Sequence, residues 1–312
     1  MDRPGDASPV VIVTGASSGI GLATAKAYAS RHAHLVLVAR GEDLLGDAAD
    51  ACRSLGAASA IAMRCDVRDG EAVAEVVAWV LADHGRIDVV IHAAMVMAYG
   101  SIEALPVEIY TAVVDTAVHG TAHVARAVLP VFRDQGRGAL VIVTSLLASI
   151  AVPGLGAYTV GKWGQLGLAR ILRLETRDVP GVKVITVAPG AVDTPVFRRA
   201  ANVEGRPGKA PPPVVSPEKV AAVILSAVGG GRRRRSVGTT NLVVIAGFRC
   251  LGPLYERLVG PLYRRYAHGP GTIPPTSGNV LTHSTREDGS RRSDQRRRGG
   301  PIELGGEDSN PQ

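Results

Sequence analysis

Cysteine is scarce in this chain. Cys52, Cys65 and Cys250 are three in 312 residues, too few and too far apart for a disulfide framework or a metal-ligand spacing. A reducing compartment, the cytoplasm, is the expected setting. Aromatic residues make up only 4%, so strands must draw on Val and Ile, and helices on Ala and Leu. No apolar run reaches the ~20 residues of a membrane span. The nearest, Leu242 to Leu254, is broken by Arg249 and Pro253. Met1 to Pro9 is polar and lacks the apolar core of a secretory signal. The formal charge of +7 is concentrated in Arg232–Arg235 and in the Arg-rich stretch from Arg291 to Arg298. No aromatic platform or recognition-helix pattern accompanies these arginines, so they read as a solvated loop and tail and no nucleic-acid partner is expected.

What is present is a long alternation of short apolar runs and Ala-rich helical segments. The runs are Val10–Thr14, Leu35–Ala39, Ala60–Cys65, Val89–His92, Ala139–Thr144, Val182–Ala188 and Leu242–Ile245. Between them lie helical patterns at Ile20–Arg31, Asp43–Leu55, Asp69–His84, Pro106–Pro130, Ala157–Arg177 and Pro217–Val228. Near-continuous Val/Ile runs suit strands covered on both faces. Strand alternating with helix gives parallel strands joined by right-handed crossovers. The expected fold is therefore α/β, a doubly wound parallel seven-stranded sheet of Rossmann type. Four segments are expected: a flexible start over 1–8, one domain over 9–247, an amphipathic helical extension over 248–268 and a disordered tail over 269–312.

The first strand runs directly into Gly15-Ala16-Ser17-Ser18-Gly19-Ile20-Gly21 and then a helix. Gly15 permits a sharp turn, while Gly19 and Gly21 let backbone and helix approach a pyrophosphate. The helix N-terminus adds free N–H donors and the positive end of its dipole. The second strand ends at Arg40, beside the expected adenosine ribose, where an acid would take the 2′-hydroxyl of NAD. A cation there suits a 2′-phosphate, so NADP(H) is expected ahead of NAD(H). Asp66, followed by Val67 at the end of the third strand, is placed either to accept from the adenine amino group or to cap the next helix.

Ser145 ends the fifth strand at the carboxyl edge, where such sheets carry ligands. Tyr158 and Lys162 follow at i, i+4 on one helix face. A free phenol, with a pKa near 10, is a poor base. A nearby ammonium and an oxidised nicotinamide would lower that value and let Tyr158 exchange a proton with an alcohol or carbonyl. Ser145 would hold the substrate oxygen.

With these residues the chain resembles the short-chain dehydrogenase/reductases over about Pro9 to Ile245. The marks are the glycine loop from Thr14 to Gly21, Asp66-Val67, Ser145, Tyr158-Thr-Val-Gly-Lys162 and Pro189-Gly190-Ala-Val-Asp-Thr194. The resemblance implies that Pro189, Gly190, Val192 and Thr194 lie on the nicotinamide side and that Lys162 holds the nicotinamide ribose. It also implies homodimers or homotetramers built through the segments Pro106–Pro130 and Ala157–Arg177. Two departures stand out. The family's Asn-Asn-Ala-Gly reads His92-Ala93-Ala94-Met95, where His92, Ala93 and Ala94 are still expected to support the cofactor. The family's catalytic Asn is Ala117, which removes the side chain associated with a water-linked proton relay to the Lys. His92 and His119 are the substitutes at hand.

Leu146, Leu147, Ile150, Val152, Leu155, Val196 and Phe197 make the expected substrate side apolar, without a cationic cluster for a carboxylate. A lipophilic alcohol, ketone or aldehyde fits. Phe248 to Tyr266 mixes apolar residues with arginines, and reads as a pocket cover, with peripheral contact to an acidic membrane as the alternative. A non-catalytic NADP(H)-binding sensor or partner module is the alternative to an enzyme.

Overall fold

The computed structural model describes residues 8–230 and 233–283. Strands β1 (Val10–Thr14), β2 (His34–Ala39), β3 (Ser59–Arg64), β4 (Val89–His92), β5 (Gly138–Val143) and β6 (Val182–Pro189) fall within two residues of the apolar runs. With β7 (Arg234–Val237) they form one seven-stranded sheet in the order β7-β6-β5-β4-β1-β2-β3, every pair parallel. The doubly wound architecture is as expected.

The side-chain alternation of the strands assigns the two faces. Val11, Val13, Leu35 and Leu37 pack with helices α1 (Gly19–Ala29), α2 (Glu42–Ser54) and α7 (Pro217–Val228). Val10, Ile12, Val36 and Val38 pack with α3 (Gly70–His84), α5 (His119–Asp134) and α6 (Gly156–Glu175). Each fully buried Val or Leu contributes about 1.5–3 kcal/mol. Two helix starts have clear causes. Asp69 accepts from the N–H groups of Glu71 and Ala72 at the head of α3, and Ser216 from Lys219 at the head of α7.

Three expectations need correction. The seventh strand is Arg234–Val237, not Leu242–Ile245. An edge strand needs less apolar surface, and the apolar run instead lies in helix α8 (Asn241–Cys250). The change of structure is enforced by Gly238, at φ 141°, and by Asn241, whose amide donates to Ser236 Oγ at 2.9 Å and to the Val237 carbonyl at 3.2 Å. The helical extension therefore begins at Asn241 rather than 248, and continues in α9 (Gly252–Tyr266). Second, the segment expected as one helix over Pro106–Pro130 is two, α4 (Val107–Ala117) and α5, separated at Val118. Third, residues 269–283 are placed on the domain. Asn202 pairs with Thr276, and Val280 is fully buried. The expected tail over 284–312, Arg232 and residues 1–7 lie outside the described residues.

Candidate active site

The carboxyl edges of the central strands open into a cleft of about 200 Å³. Gly15 turns at φ 71°, and a Cβ there would lie 2.7 Å from the Ala94 nitrogen. A Cβ on Gly21 would come to 2.2 Å from the Gly15 carbonyl oxygen. Gly19, at φ 55°, faces Thr194. Ser18 precedes α1 without a side-chain cap bond, and the first turn carries no acid. The N–H donors of that turn are thus aimed into the cleft without a side-chain competitor, which fits the pyrophosphate of a dinucleotide. Ser17, Ile20, Val67, Ala93 and Ala94 line the same cleft, as do Pro189, Gly190, Val192 and Thr194 on its far wall.

His92 does not line it. The ring is fully buried, with Nδ1 2.9 Å from Thr14 Oγ1, and burial pushes its pKa down to about 3. It is a neutral tie between β1 and β4, because the register sets it directly beside Thr14 on the neighbouring strand.

At the ribose end, Arg40 lines the cleft, but its guanidinium is engaged. Nη1 donates to the Val280 carbonyl at 3.0 Å and Nη2 to the Asn279 carbonyl. Asp66 also lines the cleft and is bound by Arg68, with Nη2 at 2.6 Å. Burial pushes the Asp66 carboxyl up, but the Arg68 hydrogen bonds, the Arg68 charge and Arg40 hold it below the usual range. The helix-cap role falls to Asp69 instead. Sequence reasoning missed Arg68; its signal was a second cation two residues beyond Asp66.

At the other end, Ser145 closes β5 and its Oγ accepts from the Leu147 N–H at 3.1 Å. Tyr158 is half-buried on the first turn of α6 and hydrogen-bonds Ser145. Burial pushes its phenol up to about 12, against the lowering effect of that bond. Lys162 is buried, and burial pushes it down to about 7. Its Nζ lies 5.6 Å from the centre of the Tyr158 ring. The three residues thus share one cleft wall as expected, but the expected lowering of the phenol by Lys162 is not found among the protein's own groups. The ammonium's donors go elsewhere.

They go to the Val143 carbonyl and to Gln165 Oε1, both at 2.9 Å. Gln165 Nε2 donates to Thr121 Oγ1 at 2.9 Å, and Thr121 Oγ1 donates to the Ala117 carbonyl at 2.6 Å. All four residues are buried. A connected polar chain therefore joins Lys162 to the break between α4 and α5. Neither histidine takes part: His119 pairs with Asp115 at 2.8 Å on the surface. Gln165 and Thr121 were missed, although Gln165 sits one turn beyond Lys162 on the same face.

Beyond Tyr158 the wall is apolar. Leu147, Val152, Leu155, Val196 and Phe197 pack with Met97, Tyr99 and, from α9, Tyr263. A polar knot fixes this cover. Tyr263 donates to Glu204 at 3.0 Å, and His268 Nε2 lies 2.8 Å from the same carboxylate. Among the described residues there is no cluster able to hold a metal and no helix long and apolar enough to cross a membrane.

Residues 9–204 match the family model described as short chain dehydrogenase. The chain is 34% identical over 190 residues to the dehydrogenase/reductase SDR family member 4 of Bos taurus, covering 61% of this chain and 67% of that one. Among solved structures it is similar to an alcohol dehydrogenase from Thermococcus sibiricus complexed with 5-hydroxy-NADP, at 27% identity and a TM-score of 0.65, covering 74% and 95% of the two chains. A short-chain dehydrogenase from Streptomyces avermitilis gives 28% identity and a TM-score of 0.69, covering 84% and 97%. With the glycine cradle, the Ser145-Tyr158-Lys162 wall and these likenesses together, the chain belongs to the short-chain dehydrogenase/reductase family of NAD(P)-dependent enzymes acting on CH–OH and C=O groups.

Proposed function

We propose that this protein moves a hydride between NADP(H) and a lipophilic alcohol, ketone or aldehyde, with Tyr158 as general acid/base. The observation that carries this reading is the common wall: Ser145 bonded to the Tyr158 phenol, one helical turn from buried Lys162, at the end of a glycine cradle. The nicotinamide, when bound, gives or takes the hydride. Ser145 holds the substrate oxygen, and Tyr158 exchanges the proton with it. A phenol at about 12 keeps its proton, so it is set to protonate the oxygen of a carbonyl being reduced. Lys162 retains N–H capacity for the nicotinamide ribose after its two protein bonds. Gln165 acts as a positioning residue. An amide passes no proton on, so it orients Lys162 where the family's Asn-bound water would lie.

The preference for NADP(H) rests on Arg40 with Arg68 close behind it, and NAD(H) is the alternative. The apolar wall of Leu147, Val152, Val196 and Phe197 supports a lipophilic substrate. The chain is assigned to the cytoplasm on its three free cysteines. It is proposed to pair as a homodimer or homotetramer through α4, α5 and α6, where Val160, Trp163, Ile171 and Leu174 are exposed. A peripheral membrane contact is proposed through the C-terminal helices. The second reading, a non-catalytic NADP(H)-binding module, is favoured by Ala117 alone among the catalytic positions. A screen of NADPH consumption over ketones, aldehydes and quinones separates the two. Turnover that vanishes in Tyr158→Phe supports the enzyme; tight NADPH binding with no carbonyl consumed supports the module.

A further inference from the structure

Helices α8 and α9 carry two faces of opposite use. The inward face of α9 sends Tyr263 into the apolar wall beside Tyr158, and Ala267 follows just beyond the helix. Tyr255 ties the helix to the substrate-side loop by donating to the Ala151 carbonyl at 2.8 Å. The outward face has no partner among the described residues. Leu242 and Val243 of α8 are each 73% exposed, and Leu251, Leu254, Leu258 and Leu262 about half exposed. Leu254, Leu258 and Leu262 recur at i, i+4 and i+8, with Leu251 just before, so they form one stripe along the helix. Single exposed leucines mean nothing, but a contiguous row on two successive helices marks an interaction surface.

The chemistry of the row selects its partner. Arg249, Arg257, Arg264 and Arg265 are exposed around it, against the single acid Glu256. The row is aliphatic but for Tyr266 at its end, 40% exposed, an amphipathic ring of the kind that sits at a membrane interface. Aliphatic side chains rimmed by long cationic ones match the acyl–headgroup boundary, where leucines enter the hydrocarbon and guanidinium groups reach back to anionic phosphates. We propose that the outer faces of α8 and α9 seat this chain on an anionic lipid bilayer, placing the helix that roofs the substrate pocket against the layer where lipophilic carbonyls dissolve. The seat itself rests on the exposed faces; the delivery of substrate rests on the function proposed above.

The test is sedimentation of the full chain with phosphatidylcholine vesicles, with and without about one third phosphatidylserine. Binding is expected with phosphatidylserine, weakening as salt rises. Leu254→Asp/Leu258→Asp should abolish it. Arg257→Gln/Arg264→Gln/Arg265→Gln should lower the partition coefficient by about 100-fold. Undiminished NADPH binding confirms that both variants fold. Three results would overturn the proposal. One is equal binding with and without anionic lipid. The second is full binding by the Asp variant, which would assign the contact to the arginines at 291–298. The third is light scattering in which the Asp variant dissociates a dimer while the parent ignores vesicles, which would assign the face to a second copy. Vesicle binding without any carbonyl turnover would leave the lipid seat standing and remove the oxidoreductase reading. Turnover without vesicle binding would do the reverse.

Discussion

At the end of the cleft proposed to take the nicotinamide, Ser145 and Lys162 are already held by the domain itself. Ser145 is fixed by its own turn, and Lys162 by Val143 and Gln165. At the ribose end, the groups that would read a 2′-phosphate are paired with a neighbouring acid and with a segment far along the chain. Arg40 is bound by carbonyls of residues 279 and 280, and Arg68 by Asp66. The first end is preorganised. The second holds arginines that are already paired yet keep N–H donors to spare, so on the proposed function reaction chemistry and cofactor choice are read by different groups in one site.

The comparison breaks most sharply at Tyr158. Tyr158→Phe should lower kcat by about 10³-fold and leave the NADPH Kd within about 3-fold, since a proton donor is lost and no phosphate contact is touched. An equal loss of binding would mean that the two ends are not separable. At the other end, a chain terminating at Thr276 removes both carbonyl partners of Arg40. It should bind NADPH about 10-fold more tightly while NADH changes little, as measured by fluorescence titration. Arg40→Ala in that shortened chain should erase the difference between the two nucleotides.

Smaller effects test the preorganised end from within. Gln165→Leu should reduce kcat about 10-fold and shift the pH–rate profile, because Lys162 loses an acceptor while its burial is unchanged. Adding Ala117→Asn should recover part of that rate if the helix break can again hold a water. The smallest effect concerns stability. Folded Lys162 titrates near 7, below the unfolded value of about 10.4, so the folded chain binds fewer protons between these limits. The cost of burying it is full below pH 7 and fades as pH rises towards 10.4. Lys162→Met removes this pH dependence, so its Tm relative to the parent should fall by about 2–4 °C between pH 7 and pH 9, whatever the loss of its bonds to Val143 and Gln165 costs at both.

Most of the fold was legible because a parallel sheet covered on both faces forces apolar runs, and β1 to β6 carry them. β7 escaped that rule. It lies at the sheet edge and reads Arg-Arg-Ser-Val, while the apolar run after it is apolar for a different reason, its exposed outer face. The Gly15–Gly21 loop, Ser145, Tyr158 and Lys162 could be placed because their spacings are local. The occupancy of Arg40 could not, since its partners lie about 240 residues away in a segment whose composition looks like a tail. Gln165 lay in plain view at helical spacing, but a buried amide shows its purpose only once Thr121 and the Ala117 carbonyl are beside it.

Glu204 gives the roof of the pocket a particular kind of fastening. One partly exposed carboxylate bonds Tyr263 and His268 together, so it ties the loop around 204 to the end of α9 at a single point. On the proposed function a product beneath this roof leaves past that tie, so Glu204→Gln should change product release rather than the proton-transfer step.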